Sequence, residues 1–262
     1  MSAPVYTADL QASYQRLFDT CVIAADKYPF VDAAVKTITD ARARYEAVSQ
    51  ATNVPWYFVG IVHNMEGASK FTVHLHNGDP LTARTVHVPA GRPAAGNPPF
   101  AWEVSAEDAL VYTGVNKWTD WSLPGILYKL EGYNGYGYRS HNINTPYLWS
   151  FTNQYTSGKY VQDGKYDPAA VSKQCGAAAI LRRLVEKQII VFGHTDRKTL
   201  IKQVGDTVAY APATYDAKAE ELQNLLNLNG AHLKADGKAG QITSDAYKIV
   251  TGEYLKGDPR KV

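Results

Sequence analysis

The apolar run Trp56–Glu66 most constrains the fold of this chain, because Pro55 precedes it and Gly67 follows it. The run has too few polar residues for a solvent-exposed helix, so it predicts a short helix buried in a helical core. Proline is common at a helix start and glycine at a helix end. Glu66 lies four residues after Val62, on the same helical face, so we expect its side chain to point inward.

A carboxyl group at the end of such a helix has a chemical consequence. Apolar surroundings disfavour the ionised form and raise the pKa of the acid. A raised pKa keeps a carboxyl group protonated near neutral pH, as a general acid requires. Glu66 is therefore a candidate proton donor, although such a residue can also simply end a helix.

Helical periodicity continues through most of the first 190 residues, and it predicts a mainly α domain. Two amphipathic helices precede the apolar run and three further helices follow it. The predicted helices cover residues 8–25, 30–50, 56–66, 105–118, 123–133 and 167–188.

Local start signals accompany three of these helices. Thr52-Asn53 and Pro55 supply a cap and a first-turn proline for the 56–66 helix. Ser105-Ala106-Glu107-Asp108 matches a capping box. Asp167-Pro168 is a further start signal, followed by a small, apolar helix interior.

The segment 67–104 is long, irregular and rich in Gly, Pro and His, and it can hold a small hairpin. Loops of this length within a compact domain are more often functional than idle. Asp79 lies there in a polar turn that keeps its charge solvated or hydrogen-bonded. Glycosidic cleavage needs a proton donor and a second carboxylate that stabilises the oxocarbenium-like state or activates water. Glu66 and Asp79 are the candidate pair, and His76 is a candidate substrate contact in the same turn.

Metal and cofactor chemistry has little support in the sequence. His63, His74 and His76 could supply imidazole ligands, but no further ligand lies at a diagnostic spacing and no HExxH motif occurs. We therefore predict no metal and no cofactor. A Gly-x-Ser-x-Gly nucleophile elbow is also missing from the sequence.

Tyrosine and asparagine cluster after the 123–133 helix. In Tyr133-Asn134-Gly135-Tyr136-Gly137 the glycines allow close backbone approach to a ligand, while Tyr133 and Asn134 offer an apolar ring and an amide. Tyr147 and Trp149 follow and are candidate sugar contacts, although Trp149 can equally be a core residue. Broad, partly polar aromatic surfaces suit saccharide rings.

Together these motifs resemble the goose-type lysozyme and lytic transglycosylase superfamily over about residues 40–190. Glu66 matches the helix-terminal catalytic glutamate, and Gly132-Tyr133-Asn134-Gly135 matches a shortened form of the second cleft motif. Phe71–Leu81 resembles the segment that carries the second acidic residue in goose-type enzymes. The resemblance implies a lysozyme-like fold in which Asp79 positions or activates water.

The chain departs from that family at two places. Gly67 stands where the transglycosylases usually have serine, which weakens a transglycosylase assignment. The stretch 82–102 is longer than its counterpart in a minimal goose-type core. The sugar subsites of that family therefore cannot be assigned to this chain in detail.

From residue 216 the sequence resembles the peptidoglycan-binding domain 1 repeat. The matching residues include Leu222 and the turn Asp236-Gly237. The resemblance implies a small three-helix bundle that binds the cell wall. We expect a catalytic domain at 1–195, a linker at 196–215 that can hold a short helix, and this module at 216–262.

Bulk composition limits the partners. The net charge of +2 and the lack of a basic block give no indication of nucleic acid. No apolar run is long enough for a membrane span, and Met1–Tyr6 lacks the features of a secretory signal. Cys21 and Cys175 form no metal motif, and free thiols are the default. We expect a monomer, synthesised in a host cytoplasm and acting in the periplasm or cell wall after release.

These observations together predict a mainly α protein with a lysozyme-like domain, a small hairpin and a C-terminal helical bundle. The expected activity is that of a muramidase, cleaving the β-1,4 bond between N-acetylmuramic acid and N-acetylglucosamine, in a phage endolysin. A lytic transglycosylase that forms anhydro-muropeptides is the same-fold alternative. A non-catalytic wall-binding or phage structural protein is the alternative from another class.

Overall fold

The computed structural model describes residues 3–162, 164–192 and 197–261. These residues are mainly helical with one small antiparallel hairpin, which confirms the predicted fold class. The chain divides into two compact units. The first comprises Met1–Gln15 and Cys21–Phe192, and the second comprises Arg16–Thr20 and Gly193–Val262.

Up to residue 192 the described residues form eight α-helices, three short 3-10 helices and the hairpin. The hairpin joins β1 (Lys159–Gln162) to β2 (Lys165–Asp167). The predicted hairpin region 67–104 instead contains an isolated bridge between Val73 and Pro80. The helices are α1 (Ala8–Asp19), α2 (Tyr28–Asp40), α3 (Arg42–Thr52), α4 (Trp56–Gly67), α5 (Trp102–Tyr112), α6 (Leu123–Asn134), α7 (Pro146–Trp149) and α8 (Ala177–Glu186).

Helix α4 lies at the centre of the first unit and packs against α2, α3, α6 and α8. Its apolar residues from Phe58 to Met65 are buried as predicted, with Phe58 and Ile61 at 0% exposure, while Trp56 and Tyr57 are half-buried. Gly60 permits the close approach of α2, because a Cβ atom there would lie 2.7 Å from Cγ2 of Ile38. The apolar run therefore forms the core element that carries Glu66 at its end.

The start signals predicted for α4 serve the preceding helix instead. Thr52 is the last residue of α3, and Asn53 ends that helix in the left-handed conformation, at φ 58°. Asparagine tolerates this conformation and is common at helix C-termini. Pro55 precedes α4 with extended backbone rather than occupying its first turn. The predicted 30–50 helix is likewise two helices, which meet at Ala41.

Two other predicted helix starts are wrong. Helix α5 already begins at Trp102, so Ser105 lies inside the helix, fully buried, with Oγ 2.7 Å from Nδ1 of His74. Asp167 belongs to β2, and α8 starts at Ala177. In both cases a tertiary contact or strand pairing overrides a local pattern.

The second unit contains three helices among its described residues: α9 (Arg197–Gly205), α10 (Ala217–Leu228) and α11 (Gln241–Thr251). Helix α9 falls in the segment expected as a linker, and Ile201 on it is fully buried with residues of α10. Asp216 caps α10 by accepting a hydrogen bond from the Lys218 amide.

Two expectations about the whole chain can be compared with the described residues. Every helix in them is too short or too polar to span a membrane. Cys21 and Cys175 carry free thiols, and burial raises the pKa of each to about 12.

Candidate functional site

The C-terminal end of α4 is held by backbone in an uncommon conformation. Ala68 and Ser69 both have positive φ, 48° and 55°, although neither is glycine. The amides of both residues donate to the carbonyl oxygen of His63. Gly67 is the last helical residue, and Ala68 rather than the glycine adopts the left-handed conformation that caps the helix. Strained backbone of this kind persists only where the surrounding structure fixes it.

Side chains from elsewhere fix this end further. Nε2 of Gln174 donates a 2.9 Å hydrogen bond to the Met65 carbonyl, one of the helix-end acceptors that lack an intrahelical partner. The buried His63 ring contacts Tyr45 OH through Nδ1, at 3.0 Å, and the Lys70 carbonyl through Nε2, at 3.1 Å. Glu66 directly follows Met65 and lies between His63 and Lys70 in the chain, so these contacts fix its backbone position.

The Glu66 side chain was predicted to point into the core. It is instead exposed to solvent. Its Oε1 accepts a 2.6 Å hydrogen bond from the Tyr147 hydroxyl. Tyr147 lies on α7, whose start is capped by the Thr145 side chain. Helices α4 and α7 thus bring together two residues that the sequence assigned to one site.

The environment of Glu66 favours its protonated form. Removal of water by surrounding protein atoms raises the pKa of Glu66, and the hydrogen bond from Tyr147 opposes that change only in part. The negative end of the α4 dipole also disfavours a carboxylate at this position. The Glu66 carboxyl group is therefore accessible to solvent and has a raised pKa, and a general acid near neutral pH needs both properties.

Tyr133 is the second phenol of this group. Its half-buried ring lies 6.0 Å from that of Phe58 in α4. Burial raises the pKa of Tyr133 and of Tyr147, and the Glu66 charge raises both further. Both phenols therefore remain neutral. Asn134 follows at the end of α6, exposed to solvent. We define Glu66, Tyr133 and Tyr147 as the Glu66 cluster.

Asp79 lies in a different environment, at the centre of its own loop. It is 7% exposed, and its Oδ2 accepts hydrogen bonds from the Val86 and His87 amides and from Asn77 Nδ2. Oδ1 lies 2.6 Å from Nδ1 of His87. The His87 side chain, followed by the backbone donors, holds the pKa of Asp79 well below its usual range. Asp79 is thus an ionised carboxylate with both oxygens engaged in holding a loop.

His76, expected as a substrate contact, lies in an interior polar cluster. Its side chain is 1% exposed, and Nε2 lies 2.8 Å from Oδ2 of Asp108. Asp108 also binds Arg92 through two hydrogen bonds. Burial lowers the pKa of His76 and thus favours the neutral ring. Among the described residues no group of three His, Cys, Asp or Glu side chains could hold a metal ion.

Four further predicted site residues lie in core or turn positions. Trp149 is 1% exposed and packs in the core, the alternative to a sugar contact that the sequence left open. Leu222 is likewise fully buried, in the second unit. The turn Asp236-Gly237 is tied to α10 by Gln223, whose Oε1 accepts from both turn amides at 3.0 and 2.9 Å.

Sequence reasoning missed Gln174, which supports the site, and the buried glutamate Glu131. Gln174 holds the end of α4 from a segment more than a hundred residues away, and no local signal announces such a contact. Glu131, buried on α6, binds Tyr14 and makes an ion pair with Arg139. Glu131 thus has a structural role as one half of an ion pair. Glu66 differs, because its partner is a phenol.

Comparisons with protein-family models, with curated proteins and with solved structures give no match to this chain.

Proposed function

We propose that this protein cleaves peptidoglycan, with Glu66 as the proton donor. The observation that supports the proposal is the Glu66 cluster: an accessible glutamate of raised pKa, at a fixed helix end, with Tyr147 as its hydrogen-bonding partner. A neutral carboxyl group so placed can protonate the leaving oxygen of a glycosidic bond. The superfamily resemblance supplies the substrate, the bond between N-acetylmuramic acid and N-acetylglucosamine.

In this proposal each member of the cluster has its own role. Glu66 donates its proton to the glycosidic oxygen as the bond breaks and becomes a carboxylate. Tyr147 holds Oε1 and leaves the other carboxyl oxygen for the substrate. Tyr133 and Asn134, at the end of α6, supply a ring and an amide for the sugar next to the cleaved bond.

Hydrolysis, the muramidase reaction, then needs water activated on the opposite face of the sugar. Asp79 is the proposed base, because it is ionised and lies in the segment that resembles the second acidic segment of goose-type enzymes. For this role one Asp79 oxygen would have to exchange a loop hydrogen bond for water.

The engagement of Asp79 favours a second candidate, the lytic transglycosylase reaction. That reaction forms an anhydro sugar and needs no second carboxylate. The site suits that reaction, because Glu66 is accessible while Asp79 is bound to the Val86 and His87 amides. The two candidates share the proton donor and differ in the nucleophile.

The second unit supplies the proposed wall-binding function. Its resemblance to a peptidoglycan-binding repeat suggests that it holds the protein on its insoluble substrate. A monomeric phage endolysin that reaches the wall from the host cytoplasm fits both parts. A non-catalytic wall-binding or phage structural protein remains the alternative, in which Glu66 has no chemical role.

Two assays on purified peptidoglycan separate these functions. A fall in turbidity with the full chain, lost in Glu66→Gln and retained in the surface control Glu46→Gln, supports an enzyme. No fall with any of the three proteins would favour the wall-binding alternative. Masses of the released muropeptides then identify the reaction, since reducing ends indicate hydrolysis and anhydro ends indicate the transglycosylase.

A further inference from the structure

An aromatic platform lies in the first unit, in a segment that follows the Glu66 cluster along the chain. It consists of His141, Tyr160 and Tyr166, with the buried Tyr138 beneath them. The His141 and Tyr166 rings are stacked, with centroids 3.8 Å apart and planes 8° from parallel. Tyr160 contacts both, at 5.8 and 5.5 Å.

The platform is rigid. The Tyr160 amide donates to Tyr138 OH, and Tyr160 OH lies 3.1 Å from Nε2 of His141. Gly158, at φ 96°, allows the Tyr166 hydroxyl to pack onto the backbone: a Cβ there would lie 2.1 Å from that oxygen. A preformed surface binds a ligand without an ordering cost.

A half-buried ion pair anchors the short 3-10 helix Gly137–His141, which carries His141. Arg139 makes two hydrogen bonds to Glu131, and its NH2 group also donates to Tyr14 OH. Glu131 is 3% exposed. This ion pair connects the platform to α6, the helix that ends in Tyr133 and Asn134.

Chain geometry places the platform near the Glu66 cluster. The chain leaves the cluster at Tyr133 and returns to it at Tyr147, with His141 between them. Tyr147 is six positions after His141, so their Cα atoms lie within about 22 Å of each other, the reach of an extended chain. A glycan strand of several sugars is long enough to span that distance.

We propose that the His141–Tyr160–Tyr166 platform is a saccharide subsite that binds the glycan strand away from the cleaved bond. Exposed and half-exposed flat rings bind the apolar face of a sugar, while the hydroxyl of Tyr160 offers a hydrogen bond. This inference deepens the proposed function and rests on it for the identity of the strand.

The test measures binding without turnover, on the full-length Glu66→Gln protein. The probe is the β-1,4-linked hexasaccharide of N-acetylglucosamine, titrated by calorimetry. In this background His141→Ala should raise Kd about 3- to 10-fold, the contribution of one aromatic ring. His141→Trp, which keeps a flat ring, should retain the parental Kd. Tyr112→Ala, a change at an exposed ring of the first unit, is the matched control.

The outcomes separate this inference from the proposed function. Equal Kd values for all four folded proteins, or no hexasaccharide binding by the parent, would overturn the subsite. Tighter binding of oligothymidylate than of the hexasaccharide would also overturn it, because flat rings stack on nucleobases too. Muropeptide release by the unsubstituted protein, compared with Glu66→Gln, is scored separately and tests the proposed function.

Discussion

The Tyr147 hydroxyl donates a 2.6 Å hydrogen bond to Oε1 of Glu66, across 81 residues of chain. The bond joins the end of the buried helix α4 to the one-turn helix α7. It stabilises the ionised form of the acid and so opposes the rise in Glu66 pKa that burial causes. Tyr147 therefore adjusts the pH range in which Glu66 can donate a proton.

Removal of that hydroxyl should move the pH profile of activity. In Tyr147→Phe the pKa of Glu66 rises further, because the interaction that lowers it is lost. A general acid is active while protonated, so the alkaline limb of the rate profile should shift to higher pH. Peptidoglycan clearance measured from pH 4 to 9 checks this. Tyr112→Phe, a change at an exposed tyrosine, should leave the profile unmoved. A shift of the alkaline limb to lower pH would contradict the assignment.

Glu66 should lower folding stability at neutral pH. Its pKa is higher in the folded than in the unfolded protein, so the folded state binds more protons between these two pKa values. Stability therefore falls as pH rises from the unfolded pKa through the folded pKa. Glu66→Gln should therefore raise Tm at pH 7 and have a smaller effect at pH 4. Thermal unfolding followed by circular dichroism measures both. A lower Tm at pH 7 would show that ionised Glu66 stabilises the fold.

Asp79 should contribute stability with the opposite pH dependence. Its folded-state pKa is depressed, so the contribution is complete above the unfolded pKa of about 4 and declines as pH falls. Asp79→Asn should lower Tm at pH 7, with a gap that narrows toward pH 2. Asn77→Ala removes three loop hydrogen bonds but keeps the Asp79 charge, so its loss of Tm should depend less on pH. A constant gap from pH 7 to pH 2 would argue against charge as the origin.

The close approach of α2 and α4 should make Gly60 intolerant of a side chain. Gly60→Ala places Cβ 2.7 Å from Cγ2 of Ile38, and overpacking of this kind costs about 1–3 kcal/mol. Urea unfolding measures that loss. Ile38→Ala removes the clashing atom, so in the double variant the effect of Gly60→Ala should shrink. If the losses of Gly60→Ala and Ile38→Ala simply add in the double variant, the strain does not arise from the contact between these two positions.

Much of the helical framework could be predicted from periodicity, because apolar residues at helical spacing must be buried somewhere. Trp56–Glu66 predicted α4 almost to the residue, and the predicted 123–133 helix is α6. Start signals were less informative. Ser105 matched a capping box, yet it faces His74 inside α5, because a buried polar side chain needs a partner wherever the fold provides one.

The site could be predicted only in part. Glu66 and Tyr147 were both singled out, but their hydrogen bond depends on how α4 and α7 pack. Trp149, two residues from Tyr147, was expected at the site and lies in the core. One turn of helix directs neighbouring side chains to opposite sides, and no pattern of four residues reveals which side faces solvent.

The central claim, that Glu66 is the proton donor for peptidoglycan cleavage, is tested most directly by quantitative mass spectrometry of released muropeptides. The full chain, Glu66→Gln and the control Glu46→Gln are incubated with the same purified peptidoglycan. We expect release by the full chain and the control, and a loss of about 100-fold or more in Glu66→Gln, the contribution of a general acid. Equal release by Glu66→Gln and the full chain would contradict the account.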